Sequence, residues 1–124
     1  MDEQFVGPWE RRINEFLDEP IPDRVRKRGE KTVADVLAAA VAGSAVPEIE
    51  SVVRTAEFGG GGASVLGTDR QLQPEQAALY NTTAAIAQEI EEGHNTGGHV
   101  GASIVAGGLP LAETAGVDGK TFVD

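Results

Sequence analysis

Residues 32–44, Thr-Val-Ala-Asp-Val-Leu-Ala-Ala-Ala-Val-Ala-Gly-Ser, restrict the folds open to this chain more than any other stretch. Val33, Val36, Leu37, Ala40 and Val41 recur at helical spacing, which predicts a helix from an N-cap at Asp23 to about Ala42, stopped by Gly43-Ser44. Its apolar side chains are small or branched. The whole chain shares that character: aromatics make up 5% of it and sixteen residues are glycine, so the core must be built from small and branched aliphatics through close helix contacts. A length of 124 residues suits one domain with a real core and is too short for two.

Other elements follow from the same patterning. Pro8 opens a first helix to about Asp18, with Trp9, Ile13, Phe16 and Leu17 apolar on one side, and Pro20 and Pro22 end it. Pro47 opens a short third helix that turns Ile49, Val52 and Val53 inward and ends before Gly59. The run Gly59-Gly60-Gly61-Gly62 is a flexible loop. Ser64-Val65-Leu66 is a short extended piece, and Gly67-Thr68-Asp69 a turn. A fourth helix starts at Gln73-Pro74-Glu75 and reaches about Glu92, and Gly93 to Gly98 form a loop. A fifth helix runs from near His99 to about Thr114, with a kink expected at Pro110. After a turn at residues 116–119, Lys120 to Asp124 resembles a first helical turn. The fold class expected is therefore all-α: an irregular bundle of about five helices with one short extended segment.

Twenty acids against ten bases give a formal charge of −10, which argues against nucleic-acid or anionic-membrane partners. Arginine prevails over lysine, and alanine and glycine replace larger side chains. A salt-adapted acidic surface and an ordinary acidic soluble protein both fit that pattern. The absence of cysteine excludes disulfides, thiol nucleophiles and thiolate metal sites. Asp2, Glu3 and Gln4 follow the first methionine where a signal peptide would carry apolar residues, and no apolar run reaches a membrane-spanning length. A cytoplasmic location is the expectation.

Chemistry is concentrated in Glu89-Ile90-Glu91-Glu92-Gly93-His94-Asn95-Thr96-Gly97-Gly98-His99-Val100-Gly101-Ala102, which holds three carboxylates and both histidines of the chain. Carboxylate and imidazole pairs move protons near neutral pH. On the wheel of the fourth helix, Glu89 falls at the edge of the stripe formed by Leu79, Thr82, Thr83, Ile86 and Ile90, while Glu91 and Glu92 point away. Glu89 is then the carboxylate expected to be partly buried. The alternative is that all three line a solvated helix end. His99 precedes the small residues Gly101, Ala102 and Ser103, a helix start that a ligand could approach closely and that attracts anions. Such a histidine can donate to a substrate carboxylate or exchange a proton, or it can simply cap the helix. His94 reads as an exposed loop residue. The spacing of His94 and His99 matches no recurrent metal motif, residues 97–101 follow no strand and are no dinucleotide fingerprint, and the four-glycine run lacks the Lys-Ser/Thr of a P-loop. Neither metal nor cofactor is expected, and no serine stands in a nucleophile elbow.

Four segments in order resemble the MmgE/PrpD family, which includes 2-methylcitrate dehydratase and cis-aconitate decarboxylase. Residues 32–44 are similar to its "D-T-L-G…AGS" helix, and Ala63-Ser64-Val65-Leu66-Gly67-Thr68 to its "A-T-V-L/I-G" strand and turn. Asn81-Thr82-Thr83-Ala84-Ala85 matches the start of the "N-G-x-A-A-H" helix. Glu91-Glu92-Gly93-His94-Asn95 with Gly98-His99 and Gly101-Ala102 resembles the "D-E-G-N…G-H-P-G" active-site loop. The resemblance implies that residues 1–124 form a single partial helical domain, part of the family's helical domain. It places Glu89 at a frequent active-site aspartate and His99 at the family histidine, as catalytic residues, with Gly98, Gly101 and Asn95 beside the substrate. It implies metal-independent dehydration or decarboxylation of a tricarboxylate. Val100 stands where the family has proline, Glu89 is longer than aspartate, and Pro110 falls in a helix the family keeps alanine-rich. Family members are longer and bring a further histidine and lysine, so the partner expected is a second polypeptide or a second copy. A non-catalytic remnant or interaction module of the same ancestry, and an unrelated helical binding protein, are the competing readings.

Overall fold

The computed structural model describes residues 3–55, 60–93 and 97–124. Its helices are α1 (Glu3–Asp18), α2 (Asp23–Ser44), α3 (Pro47–Thr55), α4 (Pro74–Ile86), α5 (Gly107–Thr114) and α6 (Gly119–Val123). A two-stranded antiparallel hairpin, β1 (Ala63–Ser64) and β2 (Gln71–Leu72), lies between α3 and α4. The all-α expectation holds with this small hairpin added. Its turn falls at the expected residues, with the Thr68 amide donating to the Val65 carbonyl at 3.1 Å and Gly67 at φ +77°.

The central contact is α2 against α4, and it is glycine that permits it. A Cβ on Gly43 would lie 1.9 Å from the Ala84 carbonyl oxygen, so Gly43 does not stop α2: the helix runs on through Ser44 to let α4 cross. Asp23 is the first residue of α2 rather than its cap, since Pro22 holds the N-cap position. Val36, Ala40, Ala85, Ala102, Val105 and Ala106 form one core cluster, and Ile49, Val53, Ala63, Val65, Leu72, Ala77, Tyr80 and Ala84 form another. Both are packed from the small and branched residues that the composition requires. Val52 is exposed, unlike its neighbours Ile49 and Val53. Gly60–Gly62 are not a free tether: a Cβ on Gly61 would meet the Leu72 carbonyl oxygen at 1.9 Å. The remaining part of that loop, Gly59 included, lies outside the described residues.

Two polar devices join the layers. Asn81, fully buried on α4, accepts from the Leu66 amide at 2.9 Å and donates to the Ser64 carbonyl at 3.0 Å. Glu113 on α5 accepts from the Ser64 amide at 2.7 Å and hydroxyl at 2.5 Å. In α1 the proline is internal, not initial, and the apolar face of Trp9, Ile13, Phe16 and Leu17 is exposed. Periodicity identified which face of α1 is apolar, but not whether anything covers it.

The C-terminal helix is real. Asp118 caps it, its carboxylate accepting from the Thr121 amide at 3.0 Å, which holds that carboxyl below its ordinary value. Arg26 on α2 then grips Asp124 bidentately at 2.5 and 3.0 Å, with Lys120 at 3.0 Å. The Arg26 hydrogen bonds first, then Lys120, pull the Asp124 carboxyl from 3.8 down to about 2. A depressed folded-state pKa means that this latch contributes above the unfolded value and is lost as pH falls through the folded one. The stability difference between the wild type and Asp124→Asn, measured by urea unfolding, should therefore be full at pH 5 and shrink between about pH 4 and pH 2. A difference that stays constant to pH 2 would show that the latch contributes nothing through its charge.

Candidate functional site

The segment after α4 is not helical, and this redistributes its three carboxylates. α4 ends at Ile86, six residues before the expected end at Glu92. The Ala87 amide turns back to the Ala84 carbonyl at 3.2 Å and the Glu89 amide to Ile86 at 3.2 Å. Glu89 sits at φ +50°, the sole described non-glycine residue with positive φ. No Gly, Asn or Pro marks this end in the sequence, so the helical pattern appeared to continue.

The burial expected from the helical wheel is accordingly reversed. Glu89 is exposed, whereas Glu91, expected to point outward, has a side chain only 1% exposed. Its Oε1 lies 3.2 Å from His99 Nδ1, and its Oε2 is buried without a hydrogen-bond partner among the described residues. His99 is about half exposed, at 47%. Its ring runs along the backbone of Gly93, where an added Cβ would stand 3.4 Å from Cε1 and 3.6 Å from Nε2. A buried carboxylate facing Nδ1 orients the imidazole, while Nε2 remains for exchange.

Glu92 has a different task. Its Oε1 accepts from the Gly101 amide at 2.6 Å, which places a carboxylate on the first turn of the helical run that contains Gly101. A Cβ on Gly101 would lie 2.3 Å from that oxygen, so glycine is needed here to admit Glu92. The Gly101 amide, expected to meet substrate, is thus already engaged by the protein's own carboxylate. Gly98 is exposed, at φ +78°, with open space where a Cβ would be. Asn95 and His94 lie outside the described residues.

The helix that follows is interrupted, but not at Pro110. Residues Ala102–Ala106 form a π-helical segment, and α5 continues through a buried Pro110. Pro110 has no amide to offer the Ala106 carbonyl and its ring crowds that group, and the widened turn ends at Ala106. Ala102, Val105 and Ala106 are buried where this segment packs against α2 and α4, while Ser103 and Ile104 are exposed. The loop carrying His99 is therefore anchored on both sides, by α4 before it and by a packed helix after it.

Sequence reasoning missed the pairing of Glu91 with His99, whose only signal was proximity in the chain. It also missed a pair of bases: Arg28 and Lys31 of α2 line a cleft together with Thr32, Asp35 and Glu92. No single helix among the described residues is long and apolar enough to cross a membrane.

No curated protein and no solved structure matches the chain significantly. A family model does, that of the MmgE/PrpD N-terminal domain, over residues 13–124. It spans every element from within α1 to α6, including the loop that carries the carboxylates and His99. With nearly the whole chain matched, the protein belongs to the MmgE/PrpD family.

Proposed function

We propose that these residues form one wall of a lyase site that dehydrates or decarboxylates a tricarboxylate by acid/base chemistry, with His99 as the group that exchanges the proton. The observation that carries this reading is the buried Glu91 carboxylate 3.2 Å from His99 Nδ1, in a chain of this family. With Nδ1–H directed at Glu91, Nε2 offers a lone pair to a C–H alpha to a substrate carboxylate. In dehydration that proton leaves, its electron pair forms the double bond, and the hydroxyl on the adjacent carbon departs with a proton as water. In decarboxylation the carbon–carboxylate bond breaks, carbon dioxide leaves, and the electron pair left on carbon is protonated by the imidazolium.

Glu89 is the second catalytic residue of the proposal. Its exposure and its left-handed backbone support a position on the substrate side, because strained conformations of this kind concentrate at functional sites. Gly98 leaves room for substrate beside His99, Gly101 acts through Glu92, and Asn95 remains a substrate-side residue of the proposal by family resemblance. The family resemblance assigns a further histidine and lysine to a complete site, supplied by residues beyond these 124. The chemistry described calls on no cofactor.

Dehydration of 2-methylcitrate and decarboxylation of cis-aconitate by the purified chain, alone and with a polypeptide carrying the rest of the family pattern, test this reading. Turnover in the second setting supports it, and none in either setting sinks it. A second reading, an interaction module of the same ancestry, rests on the exposed apolar face of α1 (Trp9, Ile13, Phe16 and Leu17) and is favoured by binding of that polypeptide without turnover.

A further inference from the structure

The acid/base pair described above contains no group that would hold an anionic substrate. Five of the ten basic residues nevertheless fall between Arg24 and Lys31, at the start of α2. Arg26 is committed to Asp124 and Asp23. Arg28 and Lys31, one helical turn apart, have no carboxylate within ion-pair distance among the described residues, although the chain has twice as many acids as bases. Both line a cleft of about 260 Å³ with Thr32 and Asp35 on one side and Glu92 on the other. Glu92 is bound to the Gly101 amide, and its neighbour Glu91 holds His99.

We infer that this cleft is a carboxylate subsite, in which Arg28 and Lys31 take one arm of a small polycarboxylic acid whose reacting carbon lies at His99. The inference rests on the acid/base reading of His99. Guanidinium and ammonium donors form the strongest hydrogen bonds available to a carboxylate, and Thr32 adds a hydroxyl. Asp35 and Glu92 make the lining formally neutral, but among the described residues neither lies within ion-pair distance of Arg28 or Lys31, and Glu92 Oε1 is turned to the Gly101 amide. The same two side chains set the class of ligand: two carboxylates in the lining tolerate a singly charged carboxylate arm better than a phosphate dianion.

Titration of the whole 15N-labelled chain with tricarballylate, a tricarboxylate with no hydroxyl to lose, tests the subsite by binding alone. The expected result is saturable shifts at the amides of residues 28–32 and 99–101. Arg28→Gln and Lys31→Gln should each weaken binding by about 10-fold. Lys27→Gln, an exposed neighbour outside the cleft, should leave it unchanged, and inorganic phosphate should bind more weakly than tricarballylate. No saturable shift, an equal loss in Lys27→Gln, or tighter binding of phosphate would overturn the proposal. Turnover that depends on His99 but is indifferent to Arg28 and Lys31 would remove the subsite and leave the lyase reading standing. Binding through Arg28 and Lys31 in a chain that never turns over would do the reverse.

Discussion

His99→Gln should lower kcat by about 10²–10⁴-fold in the assembled enzyme, with KM little changed, because it removes a group that moves a proton without removing one that holds the substrate. The three carboxylates separate the possible roles. Glu91→Gln keeps an oxygen facing Nδ1 but loses the carboxylate that orients the ring, and should lower kcat by up to about 10⁴-fold, as the same change does behind a general-base histidine. Glu89→Gln should cost at least as much if that exposed carboxylate meets substrate. Glu92→Gln retains an acceptor for the Gly101 amide and should be the mildest of the set. Steady-state kinetics on 2-methylcitrate and cis-aconitate check the series. If Glu92→Gln were the most damaging and Glu91→Gln neutral, the pairing assigned to His99 would have no catalytic meaning.

Asn81→Leu should destabilise the chain by about 2–4 kcal/mol, the largest effect expected from one substitution in the fold. Leucine shares asparagine's branched outline and is the bulkier of the two, so the cost is not a cavity. It arises because the Leu66 amide loses its acceptor and the Ser64 carbonyl its donor, in a place with no solvent access at Asn81. Urea unfolding should show a lowered midpoint at unchanged slope, and the melting temperature should fall by roughly 4 °C per kcal/mol in a chain of this length. Asn81→Asp keeps the acceptor for Leu66 but loses the donor to Ser64 and buries a carboxylate against that carbonyl, so it should be destabilising as well. A stability within 0.5 kcal/mol of wild type for Asn81→Leu, the range of an ordinary surface change, would mean that these two bonds do not hold β1 against α4.

Residue pattern made much of this fold readable. Val36 and Ala40 of α2 recur at helical spacing and are buried, whereas the α4 stripe of Leu79, Thr82, Thr83, Ile86 and Ile90 is the wrong face: Leu79, Thr83, Ile86 and Ile90 are exposed, and Ala77, Tyr80, Asn81, Ala84 and Ala85 are buried instead. The turn at Gly67, where a positive φ is required, was equally clear. Elsewhere the local signal and the tertiary role diverged. Gly43 carries the signature of a helix stop, yet serves as a helix crossing, because sequence shows the missing Cβ and not the carbonyl that needs the space. The end of α4 was misplaced because Ile90, Glu91 and Glu92 continue a helical pattern that the backbone abandons at Ile86. That difference, together with the exposure of the stripe beside which Glu89 was placed, reversed which carboxylate is buried. The family resemblance singled out Glu89 and His99, but resemblance assigns positions rather than contacts, and the Glu91–His99 pair had to come from geometry. The bases of α2 were legible as charges; that two of them reach the cleft beside Glu92 was not, since it depends on how α2 lies against the loop.

The orientation of His99 by Glu91 is the centre of the account, and the tautomer of that ring tests it without any second polypeptide. The chain has two histidines, so long-range 1H–15N correlation spectra give two imidazole patterns, assigned by His99→Gln. Above the pH at which the ring is neutral, His99 should carry its proton on Nδ1, facing Glu91, and leave Nε2 unprotonated. In Glu91→Leu it should revert to the mixture dominated by Nε2–H that a free imidazole adopts. A His99 ring protonated on Nε2 in the wild type, or one indifferent to Glu91→Leu, would contradict the account.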